Sequence, residues 1–315
     1  MRQLRVFWIL MLLVAVMVVR ANDTVRVLCI GNSFSWDAVE QELYPLAKAQ
    51  GTELLIGNLY FGGCSLQQHW EFYEQGKHNY SFRIIRDGVR TVNEHCSLVD
   101  ALGYAQWDYI SFQQASHDSG KRASYEPYLG KLLALVRQYQ PKAQFCWMQT
   151  WSYALDATHP GYPYYQNSQQ VMNDSIASCT GAILRAYKNI RLVPCGSAIT
   201  YARESMGDIL CRDGYHLSYE LGRYVASCVW CEFLTGESVV GNPYKNEKMT
   251  DSQRQKAQKA AHKAIKMPIF EKKCAKNLRM SKKSSTFAPA FEIEGTCAEK
   301  KRCLSAFEKE DYLVR

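Results

Sequence analysis

The sequence predicts an α/β fold, namely a three-layer α/β/α sandwich built around a five-stranded parallel sheet. Short apolar runs alternate along the chain with longer stretches of helical periodicity. This alternation is typical of a parallel sheet that helices cover on both faces. The chain has 315 residues, of which 47% are hydrophobic. It is therefore long enough to bury one large core.

Five apolar runs are the predicted strands, at residues 25–30, 54–60, 107–112, 144–150 and 190–194. Amphipathic stretches between and after them predict the helices, at residues 38–50, 125–139, 171–187, 218–234 and 251–264. In open parallel sheets, sites form where loops leave the carboxyl ends of the strands. We therefore expect chemically active residues at these ends.

The amino terminus predicts export from the cell. Arg2 and Arg5 precede an unbroken apolar stretch over residues 6–19, and small or modest side chains follow it. This is the pattern of a signal peptide, which we predict over residues 1–21, giving a secreted or periplasmic bacterial protein with no stable membrane insertion after cleavage. The alternative is an uncleaved membrane anchor, because the stretch is only a few residues short of a span.

Charge and composition divide the rest of the chain into a predicted domain and a polar extension. Residues 22–268 predict one catalytic domain, and residues 269–315 form a lysine-rich polar extension that is either disordered or held by a disulfide. The formal net charge is +8, with the densest lysine cluster in that extension. No arginine-rich recognition helix accompanies the charge, so we expect no nucleic-acid partner.

The chain contains 12 cysteines. Cys228 and Cys231 have the spacing of a redox or zinc pair, but they lie inside a predicted helix with apolar residues between them. We interpret them as buried thiols or one local pairing. No second Cys-x-x-Cys or histidine pair completes a zinc site, so neither a metal nor another cofactor is predicted.

Two short motifs predict the chemistry. Gly31-Asn32-Ser33 follows the first predicted strand, and Asp213 stands three residues before His216, ahead of a long predicted helix. A serine on a tight turn, a histidine and a carboxylate are the three parts of a nucleophilic hydrolase. Each motif alone is an ordinary turn composition. Found together and in this order around the predicted sheet, they predict a catalytic triad.

These motifs resemble the SGNH, or GDSL, hydrolase superfamily, in a divergent and largely uncharacterised bacterial branch. The family's first block, Gly-Asp-Ser, stands here as Gly31-Asn32-Ser33, and its fifth block, Asp-x-x-His, ends at His216. The resemblance implies a flavodoxin-like sandwich and an acyl-enzyme mechanism. In that mechanism Ser33 is the nucleophile, His216 the base and Asp213 the residue that orients the base. Asn32 is expected to brace the turn.

The resemblance also implies an oxyanion hole. Its backbone donors would be the amide of Ser33 and that of Gly62 or Gly63, which follow the second predicted strand. The family's third block supplies an asparagine amide, which residues 111–117 lack. A glutamine amide presents the same donor on one more methylene, so Gln113 is the first candidate for this role and Gln114 the second.

The substrate is the feature of the predicted enzyme that the sequence determines least. The loop at residues 151–165 is dense in aromatic rings, which stack on sugars, pack against acyl chains, or form the small core of a lid. We expect a secreted serine esterase that removes acetyl or other small acyl groups from carbohydrates, with lipid and aryl esters open. The alternatives are an inactive glycan-binding protein on the same fold and an acyltransferase. Two further histidines, His117 and His159, lie on predicted loops at the same edge, either incidental or in contact with substrate.

Overall fold

The computed structural model describes residues 24–270, which form a mixed sheet of seven strands with helices on both faces. The strands are β1 Val25–Gly31, β2 Leu54–Tyr60, β3 Tyr80–Arg86, β4 Val89–Cys96, β5 Tyr109–Phe112, β6 Gln144–Met148 and β7 Arg191–Val193. The helices are α1 Ser33–Val39, α2 Leu43–Ala49, α3 Leu66–Glu74, α4 Leu98–Gly103, α5 Tyr128–Tyr139, α6 Gln169–Ala186, α7 Cys195–Met206, α8 Gly222–Thr235 and α9 Asp251–Lys266.

The prediction of a five-stranded parallel sheet is wrong in strand number and partly wrong in direction. The five predicted strands do pair in parallel, in the order β2-β1-β5-β6-β7. Beyond β2 the sheet continues with β3 and β4, which are both antiparallel to their neighbours. These two strands form a hairpin closed by Asp87 and Gly88, both of which have a positive φ. The Asp-Gly pair is itself a strong hairpin signal.

Alternate residues of the strands pack into two separate cores. On β1, Val27 and Cys29 belong to the cluster that includes α1, α2, α7, α8 and α9. Leu28 and Ile30 belong to the cluster on the other face, with α3, α4 and α5. Because successive side chains of a strand point to opposite faces, this division confirms that the sheet is buried on both sides.

The predicted helices correspond to observed ones, with one correction. The segment at residues 38–50 is not a single helix, because α1 already begins at Ser33 and ends at Val39, and α2 begins at Leu43. Glu42 between them is buried, and its carboxylate accepts hydrogen bonds from Tyr244 Oη and Asn246 Nδ2. Helices α3, α4 and α7 were not predicted.

All cysteines within residues 24–270 are free thiols, and Cys228 and Cys231 are buried on α8. Over the same residues, no cluster of acidic, histidine and cysteine side chains has the makings of a metal site. None of the helices described has the length and apolarity needed to cross a membrane. The predicted signal peptide, and all but the first two residues of the predicted extension, lie outside the described part of the chain.

Candidate active site

The turn that carries Ser33 is built around Asn32. Asn32 is the N-cap of α1, and its Oδ1 accepts a hydrogen bond from the amide of Phe34 at 3.0 Å. Its Nδ2 donates to the carbonyl of Cys64 at 2.9 Å, which ties the turn after β1 to the turn after β2. Asn32 therefore braces this corner, as expected, and leaves Ser33 partly exposed as the first residue of α1.

The turn also requires a glycine before it. A Cβ on Gly31 would lie 2.5 Å from Ser35 Oγ and 2.9 Å from Ser35 Cβ. Ser35 is fixed in place, since its hydroxyl bonds to the Asn32 carbonyl and to Asn58 Oδ1, both at 2.8 Å. Close packing thus explains why glycine occupies the end of β1.

The predicted base and its partner are in direct contact. His216 Nδ1 lies 2.7 Å from Asp213 Oδ2, and the amides of Tyr215 and His216 donate to Asp213 Oδ1. Burial raises the pKa of Asp213, but these hydrogen bonds outweigh it and hold the pKa below its ordinary value. The carboxylate therefore stays charged, fixes the proton on Nδ1 and leaves Nε2 free to accept a proton.

A buried ionic contact fastens this loop to α1. Asp37, one turn beyond Ser33, accepts from the amide of Leu217 at 2.7 Å and from Arg212 Nη1 at 3.1 Å. Its Oδ1 also lies 2.7 Å from Arg223 Nη2. Burial raises the pKa of Asp37, while the two guanidinium groups oppose that effect. These contacts hold the helix of Ser33 against the loop of His216.

Aromatic packing supports the same junction. The ring of Phe34 stacks on Trp151 at 4.1 Å between centroids and meets the ring of His216 edge-on at 6.3 Å. Trp151 Nε1 donates to the carbonyl of Tyr215 at 2.8 Å. Within residues 24–270, no hydrogen bond joins Ser33 Oγ to the His216 ring. Such bonds are often long before substrate binds.

Some of the predicted oxyanion donors have no hydrogen-bond acceptor in the part of the chain that the structure describes, and others already donate to one. The backbone amides of Ser33, Gly62 and Gly63 donate to no acceptor within the described residues. Gln113 Nε2 donates to Asn32 Oδ1 at 2.7 Å, which commits one of its two hydrogens. Gln114 Nε2 donates both to the carbonyl and to the hydroxyl of Ser124, so its amide hydrogens are already used. Of the two glutamines, Gln113 therefore retains a hydrogen for an oxyanion.

Most rings of the loop at residues 151–165 form a core and not a binding surface. Trp151, Tyr153, Tyr162 and Tyr165 are buried, whereas Tyr164 is 61% exposed. These four rings belong to the core that also contains Val27 and Cys29 of β1, so they do not form a separate small core of a lid. The residues that sequence reasoning missed are Asp37, Arg212 and Phe34, whose roles depend on contacts between distant segments.

Comparison with known proteins gives a family for the chain. Residues 26–264 match the family described as a domain of unknown function, DUF4886. Comparison with curated proteins gives no match. A crystal structure of a DUF4886 family protein from Bacteroides uniformis is 40% identical, with a TM-score of 0.77, and the match covers 78% of this chain and 96% of that one.

More distant matches carry hydrolase names. A candidate SGNH hydrolase from Slackia heliotrinireducens is 20% identical, with a TM-score of 0.48 and coverage of 67% of this chain and 98% of that one. A candidate GDSL-like lipase from Parabacteroides merdae is 16% identical, with a TM-score of 0.46 and coverage of 69% and 98%. The family match spans most of the described residues, so this chain belongs to the DUF4886 family.

Proposed function

We propose that this protein is a serine esterase that uses Ser33, His216 and Asp213 and forms an acyl-enzyme intermediate. One observation carries the proposal, namely the 2.7 Å contact between His216 Nδ1 and Asp213 on a loop bonded to the helix that begins with Ser33. A serine hydroxyl is a weak nucleophile near neutral pH and needs such a base.

The reaction follows from these positions. His216 Nε2 takes the proton from Ser33 Oγ as the oxygen attacks the ester carbonyl, and Asp213 stabilises the imidazolium that forms. The amides of Ser33 and of Gly62 or Gly63, together with Gln113, receive the negative charge on the carbonyl oxygen. His216 then returns the proton to the leaving alcohol, and water, activated by the same histidine, hydrolyses the acyl-enzyme.

The proposed substrates are acetyl or other small acyl esters of carbohydrates. Gly62 and Gly63, whose amides are proposed oxyanion donors, are exposed, and Ser33 is only partly buried. An open site of this kind suits an ester that projects from a larger polar chain. We further propose that the protein is exported, which amino-terminal sequencing of the protein from a cell fraction or medium tests by locating its first residue.

The test of the esterase is hydrolysis of p-nitrophenyl acetate. We expect the wild-type protein to hydrolyse it, and Ser33→Ala and His216→Ala each to lower kcat by 10³-fold or more, on the order of the losses seen for triad members. Ser205→Ala on the exposed surface of α7 is the matched control and should leave kcat unchanged.

A serine-directed phosphonate gives an independent readout, because it should label Ser33 and fail to label the Ser33→Ala variant. Undiminished hydrolysis by Ser33→Ala would falsify the assignment. Binding of sugar esters without any hydrolysis would instead indicate a glycan-binding protein. Transfer of the acetyl group to an added sugar would indicate an acyltransferase.

A further inference from the structure

Two imidazole rings lie beside the proposed site and have no part in the triad. His117 follows β5 in the short turn Ser116–Asp118, and His159 lies in the loop after β6. Their rings are nearly parallel, with centroids 5.8 Å apart. A Cβ on Gly161 would lie 2.5 Å from the Cβ of His117 and 3.2 Å from Nδ1 of His159. This close packing therefore requires glycine at position 161.

Buried tyrosines hold the two loops together. The hydroxyl of Tyr165 donates to the carbonyl of His117 and accepts from the amide of Gly120, both at 3.0 Å. The hydroxyl of Tyr153 lies 2.9 Å from Ser116 Oγ. These bonds tie the loop of His117 to the loop that carries His159, and loops held in place before binding lower its entropic cost.

The hydrogen bonds of His159 define which nitrogen carries its proton. Nδ1 accepts from the amide of Gly161 at 2.9 Å, so the proton of the neutral ring is on Nε2. Burial, followed by the nearby His117 and His216, lowers the pKa of His159 and favours this neutral form. Within residues 24–270, Nε2 has no acceptor, so its N–H is available to a ligand.

This donor is close to the reacting groups. The ring of Tyr215 lies 4.2 Å from the ring of His216 and 4.8 Å from the ring of His159, centroid to centroid. Beside His117, Asp118 Oδ2 lies 3.4 Å from His117 Nε2, while Oδ1 of the same carboxylate accepts from Lys121 Nζ at 2.9 Å. The N–H of His159 is thus one ring away from the proposed base, and His117 links it to a carboxylate whose Oδ2 is a further acceptor.

This arrangement matches the chemistry of sugar hydroxyls, each of which donates and accepts a hydrogen bond. A hydrocarbon acyl chain would cover the same polar atoms without bonding to them, which costs free energy. We propose that His159, His117 and Asp118 form a subsite that hydrogen-bonds the hydroxyl groups of the sugar that bears the ester. The inference rests on the proposed esterase function and names the residues that recognise the sugar of its substrate.

Two substitutions of His159 separate its donor from its structural role. In His159→Asn the side-chain oxygen takes the place of Nδ1 and still accepts from Gly161, but no donor reaches the position of Nε2. In His159→Gln the amide nitrogen takes the place of Nε2. His78→Asn is the matched control, because that imidazole is exposed on the turn before β3.

The substrates are p-nitrophenyl acetate, which has no hydroxyl group, and monoacetylated methyl glycosides of xylose, glucose, galactose and galacturonic acid. For the best of these glycosides, we expect His159→Asn to lower kcat/KM by about 10-fold or more, the effect of one lost hydrogen bond to substrate. Hydrolysis of p-nitrophenyl acetate should stay within about twofold, and His159→Gln should recover part of the loss. Equal losses on both substrate types, or no loss on any glycoside, would overturn the inference and leave the esterase standing.

A binding measurement keeps the inference testable if no ester is hydrolysed. The Ser33→Ala protein should bind at least one of the monoacetylated glycosides by calorimetry, and adding His159→Asn should weaken that binding by about 10-fold or more. Failure of every glycoside to bind Ser33→Ala would refute the subsite, whether or not the wild-type protein is active.

Discussion

At the scale of single residues, the adjacent Gln113 and Gln114 have different hydrogen-bonding tasks. Gln114 is fully buried, and its amide is consumed by Ser124, while its Oε1 accepts from the amide of Leu66. Gln113 bonds to Asn32 in the turn of the nucleophile and keeps one amide hydrogen. We therefore propose Gln113 as the oxyanion donor and a structural role for Gln114.

We predict that Gln113→Ala lowers kcat for p-nitrophenyl acetate by about 100-fold or more with little change in KM, because an oxyanion donor acts in the transition state. Steady-state kinetics measure this. In Gln114→Ala the melting temperature should fall instead, because the amide of Leu66 loses its acceptor. Equal effects of the two substitutions on kcat at unchanged melting temperature would contradict the division of roles.

The proposed triad could be predicted because its motifs are local, with Asp213 and His216 only three positions apart in the sequence. Asp37 could not be found in this way. An aspartate in the first helix gives no sign that its partners are Arg212 and Leu217, which lie 175 and 180 positions further along the chain. Likewise, the stack of Phe34 on Trp151 depends on the completed fold.

At the scale of secondary-structure elements, the junction between α1 and the loop of His216 depends on one buried carboxylate. We predict that Asp37→Ala lowers the free energy of unfolding by about 3–5 kcal/mol, because it leaves the largely buried guanidinium groups of Arg212 and Arg223 uncompensated. Urea denaturation measures the change. Arg90→Ala, which removes a 43%-exposed partner of Glu40, should cost no more than about 1 kcal/mol. If Asp37→Ala lowers the free energy of unfolding no more than Arg90→Ala does, Asp37 does not stabilise this junction.

The hairpin of β3 and β4 is the part of the sheet that the hydrophobic pattern does not predict. Its outer strand is exposed and largely polar, so it lacks the apolar run that marks β1, β2, β5 and β6. The informative signal was the turn, Asp87-Gly88, between two segments of suitable length. The parallel strands could be predicted from hydrophobicity because they are buried, whereas an edge hairpin owes its position to pairing with β2.

We predict that Gly88→Ala destabilises the protein by about 1 kcal/mol. Gly88 has φ +77°, a conformation that a Cβ disfavours, and the added atom would lie 3.2 Å from the ring of Tyr44. Gly103→Ala is the control, because Gly103 ends α4 with no atom within 4 Å of an added Cβ. Thermal denaturation of both variants compares them, and equal melting temperatures would show that the turn carries no such strain.

At the scale of the whole molecule, a buried histidine couples stability to pH. His69 on α3 is fully buried, with Nδ1 2.8 Å from the hydroxyl of Tyr80. Burial lowers the pKa of His69 from 6.5 to about 3. Between these values the unfolded chain binds a proton that the folded protein does not. The contribution of this histidine to stability is therefore complete above pH 6.5 and is lost as the pH falls towards 3.

We predict that His69→Phe makes stability less dependent on pH. Between about pH 6 and 4, the slope of the unfolding free energy should decrease by about 1.4 kcal/mol per pH unit, the value for one proton. Urea denaturation at several pH values measures the slope. His95→Phe, at an exposed position on β4, should leave it unchanged. An identical slope for His69→Phe and the wild type would exclude His69 as the coupled group.

The bond between Asp37 and Leu217 also has a kinetic consequence. It closes a loop of 180 positions, and the chain entropy of such a closure must be lost before the contact contributes any stability. We therefore expect the proposed esterase activity to recover more slowly than the helical signal after dilution from denaturant. The return of activity would then report when residues 212–217 reach the first helix. An amino-terminal fragment that ends before position 212 would be inactive even if its strands assemble.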